Sequence, residues 1–215
     1  MQALKIVFTV IPMVFTVFSS LAQETETYRT ILANPAKISG FGSVINQVGF
    51  SGNNKIRGFY SVGGEGAVLF NQRFYMGIFG ISSVAPSSIS EVERTGQNSL
   101  NTNIRLVQTG GVVGYKFFPN RAIHLNVGTK IGSAMLIREY RTYNRDYDYN
   151  PDDVQGNLMV MPTVSVEVNL FPWMQASVGA GYNWVAGGGE VFGINPSKDL
   201  SMPTLQAGLS FGKFR

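Results

Sequence analysis

From residue 123 to 137 apolar and polar positions alternate almost without a break. Ile123, Leu125, Val127, Thr129, Ile131, Ser133, Met135 and Ile137 share one face. His124, Asn126, Gly128, Lys130, Gly132, Ala134 and Leu136 share the other. A period of two held over that length specifies a strand longer than most soluble proteins use. Residues 160–170 repeat the pattern, with Val160, Pro162, Val164, Val166, Val168 and Leu170 against Met161, Thr163, Ser165, Glu167 and Asn169. In 174–184, Met174, Ala176, Val178, Ala180, Tyr182 and Trp184 oppose Gln175, Ser177, Gly179, Gly181 and Asn183. In 204–214, Leu205, Ala207, Leu209 and Phe211 oppose Gln206, Gly208, Ser210 and Gly212. Segments 38–51, 56–70, 73–83 and 103–118 bring the predicted total to eight strands, the first of which the pattern does not divide into faces.

The connections alternate in length. Asn71-Gln72, Pro119-Asn120-Arg121 and Phe171-Pro172-Trp173 mark tight turns, whereas 84–102, 138–157 and 186–202 are long and polar. Gly52-Asn53-Asn54-Lys55 is the short exception on that side and has hairpin composition. An even strand count with short turns at one end and longer loops at the other is the layout of a transmembrane barrel, with both chain ends on the periplasmic, short-turn side.

The second face separates a membrane barrel from a soluble one, because both are closed sheets with one apolar face. A soluble barrel turns its other face to water and lines it with Lys, Glu and Asp. Here that face is mostly Gly, Ser, Asn, Gln and Thr, small enough for the inside of a narrow eight-stranded cylinder. The Val, Ile and Leu face is then expected to meet lipid. Phe70, Phe74, Tyr75, Tyr115, Phe117, Phe118, Phe171 and Trp173 cluster beside the short turns, and Tyr182 and Trp184 near the opposite end, as interfacial girdles do.

Composition agrees. Only 14% of the 215 residues are charged, against about 25% in an average soluble domain. With no Cys there is no disulfide framework, thiolate metal site or cysteine nucleophile. The net charge of +4 comes without a basic run, which argues against nucleic acid as a partner. Residues 1–22 read as a signal peptide: Lys5 is the positive end, 6–18 the apolar stretch, and Ser20-Leu21-Ala22 the cleavage site. Residues 23–37 are then a periplasmic N-terminal segment and 38–215 the barrel.

At this point the chain resembles small eight-stranded outer-membrane barrels of the OmpA/OmpX type. Within that group, Ile38-Ser39-Gly40-Phe41-Gly42 and the stretch from Gly63 to Gly77 resemble uncharacterised barrels of Bacteroidetes-type bacteria. The resemblance implies a fold and a location and brings no activity with it. Such barrels commonly end in an aromatic residue read by the assembly machinery. This chain ends Phe211-Gly212-Lys213-Phe214-Arg215, where Phe211 has the lipid-facing parity and Phe214 does not.

The predicted lumen carries Glu65, Gln108, Lys116, His124, Lys130 and Glu167. Charges in so narrow a space must be paired or hydrated, which reads as a structural salt-bridge plug or as a gate. His124 is the only histidine, so a serine hydrolase would need it. It is expected at the periplasmic end facing inward, away from any outer-leaflet substrate, so no catalytic residue is assigned. In 138–157, Arg138, Tyr140, Arg141, Tyr143, Arg145, Tyr147 and Tyr149 form a candidate contact surface, since Tyr and Arg are enriched at binding hot spots. Asp146, Asp148, Asn150 and Asp152 have the spacing that opens a calcium loop. Pro151 and Asn157 stand where its Gly and bidentate Glu belong, so no metal or cofactor is assigned.

The expected function is that of a non-enzymatic outer-membrane protein. It would contact lipid and lipopolysaccharide along the barrel and a protein partner or the cell surface through its loops, or sustain envelope integrity. The alternatives are a narrow or gated pore, and an accessory barrel of a larger envelope complex.

Overall fold

The computed structural model describes residues 37–51, 58–84, 87–89, 102–140, 154–187 and 194–214. Of 87–89, 102–103, 138–140 and 154–155 only the backbone is described. The strands are β1 (Ile38–Phe50), β2 (Gly58–Phe70), β3 (Phe74–Ser83), β4 (Ser87–Ile89), β5 (Thr102–Phe117), β6 (Ile123–Tyr140), β7 (Val154–Phe171), β8 (Met174–Ala186) and β9 (Met202–Gly212); a single turn of helix, α1 (Pro196–Asp199), precedes β9. All pairings are antiparallel. β3 pairs with β5, and β1 with both β2 and β9, so eight strands close into a transmembrane barrel with β4 as a short extension beside β5. The row Ser43–Glu65–Phe79–Gly110–Gly132–Met159–Val185 starts midway along β1 and reaches the far end of β8. That climb is the stagger that tilts the strands of a closed cylinder.

The face assignment follows the alternation. Ile123, Leu125, Val127 and Ile131 of β6 point outward, with Ile131 50% exposed, while His124, Lys130, Ala134 and Leu136 are buried inside. The outer surface is a belt of exposed Val, Ile, Leu and aromatic side chains, including Val44, Val68, Ile78, Val113, Val164, Val178, Leu205 and Leu209. Only hydrocarbon suits such a belt. β1 is now assigned as well: Phe41, Ser43, Ile45 and Gln47 are inside, and Val44 and Phe50 outside.

The tight turns have local causes. Asn71 and Gln72 both take positive φ, 51° and 61°, in a turn closed by Arg73 N donating to Phe70 O at 3.0 Å, beyond which Phe70 pairs with Phe74. Between β7 and β8 a bulge at Asn169/Phe171 breaks the alternation, so Leu170 and Phe171 both face outward. Phe171 then stacks on Trp173, with ring centroids 5.4 Å apart.

Four expectations are corrected. Tyr75 belongs to the lumen and not to the girdle, because its ring lies across Gly114 and Gly128, two adjacent glycines that leave room for it. The 138–157 connection is shorter than expected: β6 and β7 stay paired as far as Ile137 with Val154, and β6 pairs with β5 as far as Tyr140. Segment 186–202 is not simply a polar loop, since Ile194 and Leu200 are fully buried and Asn183 Nδ2 donates to Leu200 O at 2.9 Å. Finally, the lumen is not polar throughout. At the long-loop end Leu106, Leu136, Met159, Met161, Val185 and Met202 point inward.

Candidate functional site in the barrel lumen

The lumen holds three tiers. At the short-turn end, β5 contributes Lys116, β6 His124 and Asn126, and β7 Glu167. Register places them at one level, with His124 opposite Glu167 and Lys116 opposite Asn126. Lys116 Nζ donates to Glu167 Oε2 at 2.6 Å and to Gln175 Oε1 at 2.8 Å. His124 Nε2 lies 2.9 Å from the same Oε2, and Asn126 Nδ2 donates to Oε1 at 2.9 Å. Gln175 Nε2 donates to Asn169 Oδ1 at 2.7 Å, and Asn169 Nδ2 ties the group to the turn at Arg121 O, 2.8 Å away. Lys116 is 1% exposed and Glu167 5%, so these are buried charges satisfied by geometry and not by solvent.

The end of the chain completes this tier. Phe211 stays outside while Phe214 turns inward and is 7% exposed. Its ring lies 6.0 Å from that of Phe41, and Lys116 Nζ sits 4.9 Å from the Phe41 ring and 5.2 Å from that of Phe214. The ammonium is thus flanked by two aromatic faces, which attract cations. Below it a cavity of about 430 Å³ opens among the turns, lined by Pro119, Asn169, Phe171, Pro172 and Phe214.

The middle tier crosses the barrel. Lys130 of β6 meets Glu65 Oε2 of β2 at 3.5 Å and Gln206 Oε1 of β9 at 3.4 Å. Ser43 and Ser210 bridge β1 and β9 at 2.7 Å. Between this tier and Glu167 lies a polar cavity of about 40 Å³, lined by Ser43, Glu65, Lys130, Thr163, Ser177 and Gln206. It has room for about one or two waters. Above it Gln47 Nε2 of β1 donates across the lumen to Gln108 Oε1 of β5 at 3.2 Å, and the apolar tier follows.

The six lumenal residues named from sequence therefore fall into separate groups. Lys116, His124 and Glu167 are together, Lys130 and Glu65 form a second pair, and Gln108 pairs with Gln47. Sequence reasoning missed Asn126, Gln175, Gln206 and the two phenylalanines. Asn126, Gln175 and Gln206 had the right parity, but nothing in one sequence ranks them above other amides. Arg138 and Tyr140 lie in the end of β6, where only backbone is described, and Arg141, Tyr143, Arg145, Tyr147, Tyr149, Asp146, Asp148, Asn150 and Asp152 lie outside the described residues. Among the described residues no group of three His, Asp or Glu side chains is placed to hold a metal ion. His124 is buried with its Nε2 engaged by Glu167.

A scan of protein-family models and a search of curated proteins give no match to this sequence. Among solved structures the chain is similar to Neisserial surface protein A, with a TM-score of 0.54 and 12% identity, over 83% of this chain and 99% of that one. It is also similar to a major outer membrane protein from Thermus thermophilus, with a TM-score of 0.50 and 12% identity, over 80% of this chain and 99% of that one. At that identity the likeness is one of fold: the chain has the architecture of small outer-membrane β-barrels.

Proposed function

We propose that residues 1–22 direct export, that the barrel resides in the outer membrane, and that the protein acts there without catalysis. Its loops contact a partner or the cell surface, or its presence sustains the envelope, while the lumen serves as a structural plug. The observation that carries this reading is the packing of the lumen. Lys116, Gln108, Leu136, Met159 and Met161 are all at most 1% exposed, at levels from one end to the other. Pairs of Lys130 with Glu65 and of Gln47 with Gln108 span the lumen between them. A barrel closed in this way offers its surroundings its loops, its turns and its lipid-facing wall. The names of the similar structures, a surface protein and a major outer membrane protein, and the resemblance to Bacteroidetes-type barrels support the location.

The test is reconstitution of the full chain into planar bilayers, together with binding to cells or envelope extracts by the chain with residues 141–153 shortened. A silent bilayer and loss of binding on shortening are expected. Step currents altered by Lys130→Gln or Glu167→Gln would replace this reading with the narrow or gated pore. The about 40 Å³ polar cavity between the two charged groups favours that second reading. Co-purification of a stoichiometric complex from native membranes would instead make the chain an accessory barrel.

A further inference from the structure

Resting on the reading of a barrel in a bilayer, we infer that the short-turn rim is a basic collar that selects anionic phospholipid headgroups in the leaflet around it. The segments that build this end, 37–41, 70–75, 117–123, 168–175 and 211–214, together with Lys116 beside them, contain Lys37, Arg73, Lys116, Arg121 and Lys213 and no Asp or Glu. Lys116 and its partner Glu167 are inside. The other four cations are exposed, and among the described residues none has a carboxylate partner.

Their backbones are pinned, which fixes the collar on the barrel. Lys37 N donates to Asn71 Oδ1 at 3.0 Å, and Asn71 N returns to Lys37 O at 2.9 Å. Arg73 N donates to Phe70 O at 3.0 Å, and Arg73 O accepts from Lys116 N at 2.8 Å. Arg121 N donates to Phe118 O at 3.0 Å, and Lys213 N to Gly40 O at 3.3 Å.

Their height on the barrel points to lipid. Lys37 adjoins Ile38, Arg73 adjoins Phe74, and Lys213 lies two residues beyond Phe211, all three outward-facing and exposed. The Arg121 guanidinium lies 5.0 Å from the ring of Phe118, a residue at φ 55° whose ring is also exposed. Each cation thus stands at the edge of the apolar belt, where headgroup phosphates lie. An acidic protein docking beneath the rim would be served as well by cations further from that edge. A Lys or Arg near an anionic lipid surface strengthens association about five-fold, and the effect falls with salt.

The protein supplies its own reporters, since Trp173 marks the short-turn end and Trp184 the other. The full chain is reconstituted in phosphatidylcholine vesicles that contain either phosphatidylglycerol or phosphatidylcholine with a nitroxide quencher high on the acyl chain. Trp173 is read in a Trp184→Phe background, and Trp184 in Trp173→Phe. Quenching of Trp173 is expected to favour phosphatidylglycerol about five-fold or more at low ionic strength, to lose the preference as salt rises, and to lose it in the Lys37→Gln/Arg73→Gln/Arg121→Gln/Lys213→Gln variant. Trp184 is expected to show little preference. Equal quenching of Trp173 by both lipids, or a preference that survives the four substitutions or appears equally at Trp184, would overturn the collar. So would an acidic periplasmic protein whose binding the four substitutions abolish while lipid preference is unchanged. If neither lipid quenched either tryptophan, the barrel would not be in the bilayer, and the reading beneath the inference would fail instead.

Discussion

Replacing Glu167 with Ala tests whether the lower lumen is held by charge pairing. Its carboxylate accepts from three side chains, Lys116 at 2.6 Å and His124 and Asn126 at 2.9 Å. At 2.6 Å two unit charges attract by about 6 kcal/mol at an effective dielectric constant of 20. Desolvating both ions offsets much of that, so the pair stabilises little relative to an apolar pair of the same shape. Removing one member is another matter. Lys116 would remain 1% exposed with only Gln175 and two aromatic rings as partners. The expected cost of Glu167→Ala is about 3–5 kcal/mol. Lys116→Met is expected to cost less, because Glu167 keeps its bonds from His124 and Asn126. The double variant Lys116→Met/Glu167→Ala should be more stable than Glu167→Ala alone. Reversible urea unfolding in lipid or detergent, followed by tryptophan emission, measures all three. A Glu167→Ala cost under about 1 kcal/mol, the range of solvent-exposed pairs, or costs that simply add in the double variant, would refute the reasoning.

Gly114→Ala should cost about 1–3 kcal/mol, as overpacking does, because a Cβ there meets the Tyr75 ring directly. The penalty should shrink in a Tyr75→Ala background, which a double-mutant cycle by urea titration would show. Leu136→Ala, at 0% exposure, should cost about 2–5 kcal/mol through lost transfer energy plus a cavity. Ile131→Ala on the lipid face leaves no cavity, because acyl chains fill the space, so its cost should be smaller; parity between the two would contradict the inside–outside assignment. Phe214→Ala should destabilise by about 3 kcal/mol and more than Phe211→Ala, read by the temperature at which the folded band is lost on gels.

The strand count, the tight turns and the choice of outward face were legible because each rests on local periodicity or on turn composition, as in 123–137 with Pro119-Asn120-Arg121 before it. Lumenal parity was legible for the same reason, so Lys116, His124 and Glu167 could be placed on one face and at similar depth. What was not legible depends on register between strands. Tyr75 faces inward because Gly114 and Gly128 stand beside it, and that pairing is invisible until β3, β5 and β6 are aligned. β1 gave no signal because Gly40, Gly42 and Ser43 are small on both faces. Ile194 and Leu200 look like stray apolar residues in a polar segment until 194–200 is seen to carry them inside. Phe214 keeps the inward parity of Thr204 and Ser210 although β9 ends at Gly212, so its side was legible, whereas its contacts with Phe41 and Lys116 depend on β1 and β5 lying beside it.

The seam between β1 and β9 has a consequence for biogenesis. Ser43 and Ser210 are 167 positions apart, yet share a hydrogen bond, and β9 is the partner of both β8 and β1. Without β9 the sheet has two open edges whose amides find no acceptor in hydrocarbon. A chain cut short before Met202 would leave β1 and β8 each with an unpaired edge, so it is expected to be cleaved by added protease and not to form a smaller barrel.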